Sequence, residues 1–246
     1  MIAMKWIPFV ALILLAATAR GQDNYEIQVY GSETVAPGMT MVEVHSNVTA
    51  RGEQHAVRET LELTHGFNDW FETGFYVFTT AGSGQGWSYV GDHIRPRVRV
   101  PPEWHWPVGV SLSTEIGYVR PRYAADTWSW EVRPIVDKTL GRWYVALNPA
   151  LEKSLHGENA GRGFEFAPAM NVKFDVTPKV AAGIEYYAGL GPISHFDPSA
   201  AQSHQIYPSI DLNVSPEWEF NAGVGFGLTK ATDRVIVKFI VGRRMH

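Results

Sequence analysis

From about Met39 to Arg244, apolar positions alternate with polar or small ones in runs of some ten residues, each closed by a turn, about twelve times over. In Trp218–Leu228 the residues Trp218, Phe220, Ala222, Val224, Phe226 and Leu228 fall on one face. Glu219, Asn221 and three glycines fall on the other. A period of two reads as β-strand, with successive side chains on opposite faces. The spacing predicts strands over 39–46, 56–64, 70–80, 87–100, 108–119, 128–138, 143–154, 163–176, 180–190, 205–214, 218–228 and 234–243. The connections alternate between mostly tight turns, such as Thr139–Arg142 and Ser215–Glu217, and longer polar loops, such as Gly191–His204.

Alternation alone does not say which face meets the core. Three features choose a transmembrane barrel over a soluble one. The less apolar face is rich in Gly and Ala, including Gly117, Ala169, Ala181, Gly183, Gly189, Gly223, Gly225 and Gly227, a poor solvent surface but a workable lumen wall. A soluble barrel of twelve strands would enclose more apolar space than its own side chains fill. Trp70, Trp104, Trp106, Trp143 and Trp218 gather at the short-turn ends, and Trp87, Trp128 and Trp130 near the loop ends, as two membrane interfaces require. The expected fold is all-β: a transmembrane antiparallel up-and-down β-barrel of about twelve strands. Short turns face the periplasm and long loops the exterior.

The first 21 residues read as a secretory signal peptide, with Lys5 before an apolar run from Trp6 to Ala16 and small residues at Ala17–Ala19. No other apolar run is long enough for a membrane helix. Residues 22–38 then read as a periplasmic N-terminal leader and 39–246 as the barrel. Within the leader, Glu26-Ile27-Gln28-Val29-Tyr30-Gly31 is a short extended segment. The expected location is the outer membrane of a Gram-negative bacterium. The expected partners are its lipids and lipopolysaccharide, the barrel-assembly machinery and a small-molecule solute.

Charge and composition narrow the chemistry. The chain has no Cys, which excludes disulfides, thiolate metal sites and a lipidated Cys anchor. Loss of Lys5 and Arg20 with the signal leaves 19 basic against 25 acidic residues, no footprint for nucleic acid. The nine histidines show no metal-ligand spacing and no phosphate-cradling glycine loop is present. No cofactor, metal or catalytic residue is therefore expected. His45-Ser46 cannot form a nucleophile–base pair simply, because adjacent strand residues point to opposite faces.

Charge collects on the inward parity: His93, Arg95, Arg97 and Arg99 on one strand, and residues such as Glu43, Glu62, Glu72, Asp137 and Lys173 on others. Arg95, Arg97, Arg99, Glu115, Glu131, Arg133, Glu185 and Lys238 are the lumen or selectivity candidates. Either they form a self-satisfied salt-bridged wall, or the arginine stripe faces acidic residues across a constriction and selects what passes. Glu115 is the predicted counterpart of the stripe. By the same parity, Val224→Arg and Ile184→Arg put a cation into lipid, while Gly225→Arg and Ala181→Arg are expected to insert. Pro96, Pro134, Pro149, Pro168 and Pro208 fall inside predicted strands, where proline removes a ladder donor; bulges or strand ends are expected there.

Several stretches are similar to a known family. These are Glu26–Tyr30 with Pro37-Gly38-Met39-Thr40, Glu59–Thr64 followed by Trp70–Gly74, and Gly223–Thr229 through Lys238. They resemble small bacterial outer-membrane barrels named for transport in the meta-pathway of phenol degradation. The resemblance implies passage of aromatic or other small hydrophobic compounds. Members of such barrel classes usually end in an aromatic residue, whereas this chain ends Arg243-Arg244-Met245-His246. The leading functional expectation is a passive outer-membrane channel for small molecules, with no enzymatic activity. The alternatives are a plugged structural or adhesive barrel and an outer-membrane lipid-modifying enzyme.

Overall fold

The computed structural model describes residues 25–51, 56–82 and 86–246; the predicted signal lies outside them. Twelve antiparallel strands close into one barrel in chain order, with β1 paired to both β2 and β12. They are β1 Thr40–Arg51, β2 Ala56–Asn68, β3 Phe71–Gly82, β4 Ser88–Arg99, β5 Gly109–Val119 and β6 Asp126–Leu140. The rest are β7 Trp143–Gly157, β8 Glu165–Thr177, β9 Val180–Gly189, β10 Ser203–Leu212, β11 Trp218–Gly227 and β12 Val235–Met245. Thr40 pairs with Met245, so the barrel starts and ends at the rim of short turns.

The barrel is inside out relative to a soluble protein. Val44, Phe75, Ile94, Leu112, Ile184, Ile210 and Phe239 are exposed on its outer face. The residues between them, such as Glu43, His45, Asn47, Glu62 and Asn171, are buried in the lumen. Exposed Trp104, Trp106, Trp143 and Trp218 lie at the short-turn rim, and Trp87 and Trp128 toward the loops. An apolar outer band between two aromatic girdles is the surface that a bilayer covers.

Pro96, Pro134, Pro149, Pro168 and Pro208 all lie within strands, on the outward parity, and the ladder beside them is broken without a bulge. Between β4 and β5 the pairing, with register unchanged, skips from Ile94↔Ile116 to Arg97↔Ser113, leaving Pro96 unpaired on that side. Between β6 and β7 it jumps from Val132↔Leu151 to Val136↔Leu147, around Pro134 and Pro149. Between β10 and β11 it jumps from Ile206↔Phe226 to Ser209↔Gly223, around Pro208. The β8–β9 register begins just past Pro168, at Ala169↔Tyr187. Each proline keeps its other neighbour: Pro96↔Thr73, Leu112↔Pro134, Pro149↔Pro168 and Pro208↔Ile184. A residue without an N–H is thus tolerated by losing pairing on one side only.

The two faces respond differently to charge. Ile184→Arg and Val224→Arg, at positions 51% and 39% exposed, cost about 2–4 kcal/mol near the bilayer midplane. The expectation that Gly225→Arg and Ala181→Arg insert does not survive the structure. A Cβ at Gly225 would overlap the Tyr207 ring, and Ala181 is buried in a filled lumen. Unfolding measured in liposomes and in detergent micelles separates the causes. The Ile184→Arg penalty should shrink in micelles, whose headgroups are within reach, while the Gly225→Arg penalty should be equal in both. Equal penalties for Ile184→Arg in the two media would show that this face does not meet lipid.

Candidate functional site: the occupied lumen

The lumen is not empty. Residues 25–36, expected as a periplasmic leader, run extended up the inside of the barrel. This corrects the placement of 22–38 over its described part. The turn that makes it possible is Ala36-Pro37-Gly38-Met39. Met39 N–H donates to Ala36 O at 3.0 Å, and Gly38 takes φ +73°. Proline presets the first corner of such a turn, and only glycine sits readily at the second. The turn folds the chain back from the short-turn rim into the lumen. An extended segment of ten residues reaches about 33 Å, enough to follow the lumen along most of a strand's length.

An isolated extended segment has no ladder partner, so its backbone groups need partners from elsewhere. Lumen side chains supply them. Asn148 grips Tyr30 from both sides, accepting from its N–H at 2.8 Å and donating Nδ2 to its carbonyl at 2.9 Å. Asp137 accepts from Ser32 N–H and from Ser32 Oγ, each at 2.8 Å. Glu72 accepts from Val35 N–H at 2.6 Å. Near the other end, Asn47 and Thr60 donate to Tyr25 O at 3.0 and 2.9 Å.

Side chains of the segment divide between two walls. Ile27 and Val29 pack into an apolar cluster with Ala146, Ala169, Tyr187, Tyr207 and Ile236. The alanines that read as lumen wall are small because the segment takes the space. On the opposite side the Tyr30 ring lies under two guanidinium groups, Arg95 at 4.2 Å and Arg133 at 5.1 Å from its centroid. A desolvated cation–π contact is worth about 2 kcal/mol.

The candidates Arg95, Arg97, Arg133, Glu185 and Lys238 are therefore engaged with the segment or with charged neighbours in the lumen wall. Arg95 pairs with Glu62 at 2.8 Å and also stacks over Tyr76. Arg97 pairs with Glu72 at 2.6 Å and donates to the carbonyls of Gly31 and Glu33. Arg133 makes a two-pronged bond to Glu131, both arms 2.6 Å. Lys238, 1% exposed, pairs with Glu185 at 2.5 Å and donates to Ile27 O at 3.0 Å. Glu115 does not answer the arginine stripe by a direct ion pair; its pair is with His93 on the neighbouring strand. Arg99 stands apart at the rim, its Nε donating to Asp69 O.

Below the segment a cavity of about 900 Å³ opens at the short-turn rim, lined among others by Ser32, Arg99, His105, Asp137, Lys138 and Glu219. The pair His45-Ser46 splits as strand geometry requires. His45 faces the lumen, while Ser46 Oγ donates to Glu59 Oε2 at 2.7 Å. They make no nucleophile–base pair.

No protein-family model matches the chain, and no curated protein matches it in sequence. Solved structures do match in fold. The COG4313 outer membrane channel from Pseudomonas putida F1 superposes with TM-score 0.61 at 12% identity, over 89% of this chain and 100% of that one. The KdgM porin gives 0.58 at 9% identity, over 84% and 99%. The NanC porin gives 0.55 at 6% identity, over 82% and 97%. The meta-pathway family is not shown by these likenesses, and at such identities they speak for the architecture alone. That architecture is a twelve-strand outer-membrane β-barrel.

Proposed function

We propose that this barrel is a non-enzymatic outer-membrane channel for small molecules, narrowed along its length by its own residues 25–36. The observation that carries the reading is the commitment of Arg97, Lys238, Asn148 and Asp137 to the backbone of that segment. Side chains so engaged hold the segment in place and do not form a charged ring around an ion path. On one side the segment packs Ile27 and Val29 against a wall of Ala and Tyr that includes Tyr187 and Tyr207. A path opened along this apolar seam suits small hydrophobic or aromatic compounds better than hydrated ions. The names of the three structural neighbours reported above, a channel and two porins, agree with passage across the membrane.

The same filling favours a second reading, a structural barrel that passes nothing. Reconstitution separates them. Liposomes carrying the purified protein should take up small aromatic solutes faster than sugars of similar size, and planar bilayers should show small, steady conductance. Uptake no faster than in protein-free liposomes, together with silent bilayers, establishes the structural barrel. Release of fatty acid from phospholipid or lipopolysaccharide by the purified protein would overturn both.

A further inference from the structure

Glu43, His45 and Glu62 meet in the lumen wall on the opposite side of β1 from the lipid. Glu43 and His45 are two apart on β1 and so share a face, and Glu62 on β2 lies directly opposite Glu43 in register. One donor atom from each lies within 4.8 Å of the other two. All three side chains are buried, His45 completely.

Three observations mark this as more than a cluster of polar groups. Neither ring nitrogen of His45 has a hydrogen-bond partner, and neither has Glu43 Oε1 or Glu62 Oε2. Nε2 has only the Glu62 carboxylate, at ion-pair distance, and Nδ1 has nothing, which is costly for a fully buried imidazole unless something binds it. Next, like charges facing each other across a strand pair are destabilising, and Glu43 faces Glu62 in that way. Finally, Glu62 divides its two oxygens. Oε1 accepts from Arg95 at 2.8 Å and from Thr64 Oγ1 at 2.6 Å, while Oε2 points to His45 Nε2 at 3.6 Å. One oxygen anchored by an outer set of donors and the other presented inward is how carboxylates are held at metal sites.

We propose that Glu43, His45 and Glu62 bind a single divalent transition-metal cation of the zinc or manganese kind. One imidazole nitrogen with two carboxylate oxygens suits such an ion, whereas an all-oxygen set would suit calcium. Two ligands each about 2.1 Å from a tetrahedral ion stand about 3.4 Å apart. The His45–Glu62 separation already has that value within a few tenths of an ångström. Glu43, whose donor atom lies within 4.8 Å of the other two, then closes the third side. A cation there joins β1 to β2 beside the seam where β1 meets β12, so it ties the barrel at its point of closure. Sequence spacing misses the set because its third member comes from the neighbouring strand. The proposal does not depend on what the lumen passes.

The test uses tag-free full-length protein in detergent, stripped with a chelator and titrated calorimetrically with Zn²⁺ and separately with Mn²⁺. One ion per chain is expected, with a raised unfolding temperature. Glu43→Gln and His45→Asn, each first shown to keep the heat-modifiable mobility of a folded barrel, should weaken binding at least tenfold. Glu59→Gln on the outer face should bind as the parent does. If either lumen variant fails to fold, Co²⁺ added to the parent protein keeps the question open to decision. A visible spectrum changed from that of aqueous Co²⁺ supports the site, and an unchanged one overturns it. The proposal also fails if the parent binds no stoichiometric ion, or if the lumen variants bind as tightly as the parent. A Glu43→Gln protein more stable than a parent that binds no metal would show instead that the two carboxyls share a proton.

Discussion

Deleting residues 25–36, so that residue 24 joins Pro37, should raise single-channel conductance at least tenfold and leave a folded barrel. An eight-strand barrel is about filled by its own side chains, and sixteen or more strands leave an aqueous pore. Twelve strands fall between, and here one extended segment takes up the difference. Its removal leaves Asn148, Asp137, Glu72 and Lys238 without the backbone groups that they bind. Those side chains then face water admitted to the lumen, so they escape the penalty of buried unpaired groups. The ladders that close the barrel are untouched, because no strand pairs with the segment. Loss of the Ile27 and Val29 packing should lower the unfolding temperature without abolishing heat-modifiable mobility. Conductance in planar bilayers, read beside gel mobility, tests both parts. A folded deletion protein with parental conductance would show that some other element closes the lumen.

The strands were legible because period two survives any tertiary context that keeps one face in lipid. The predicted strand 143–154 and the observed Trp143–Gly157, or 180–190 and Val180–Gly189, differ only where ends fray. Inside and outside were legible for the same reason, as exposed Ile184 beside buried Glu185 shows. The lumen segment was not. Glu26–Ser32 alternates like any strand, and its partners sit 118 residues away at Asn148 and 211 away at Lys238. No local pattern carries such pairings. One signal did exist: a twelve-strand lumen is too wide for its own side chains, which argued against a soluble barrel and equally called for water or a filler. The Pro37-Gly38 turn behind an alternating segment, together with the small Ala146, Ala169 and Ala181 wall, then names the filler. Parity correctly put Arg95, Arg97 and Lys238 inside, but parity cannot distinguish a charge facing solvent from one holding a peptide carbonyl. The prolines show the complementary limit. Their strands were placed correctly, yet the ladder gaps beside Pro96, Pro149 and Pro208 depend on which neighbour gives way.

Lys238→Met should be the most damaging single lumen substitution, costing about 3–5 kcal/mol, the usual penalty for removing one member of a buried ion pair. Methionine keeps the stem of the side chain, so little packing volume is lost and the effect is electrostatic. What remains is Glu185, 1% exposed, whose ammonium partner at 2.5 Å is gone. Tyr187 Oη still donates to it at 2.5 Å and Asn221 Nδ2 at 3.4 Å. Lys173 is nearest among the other cations, at 3.9 Å, but it is engaged by Asp211 at 2.6 Å. These residual contacts place the cost toward the lower end of the range. The Ile27 carbonyl also loses its donor, so the segment should loosen and conductance become noisier. Lys238→Met with Glu185→Gln removes the stranded charge together with its partner, and should recover most of the stability while leaving the noise. Urea unfolding of the two variants in liposomes gives the stability difference, and bilayer recordings give the noise. A double variant as unstable as Lys238→Met alone would mean that the lysine acts through the Ile27 carbonyl and the tyrosine faces of Tyr187 and Tyr207, not through Glu185.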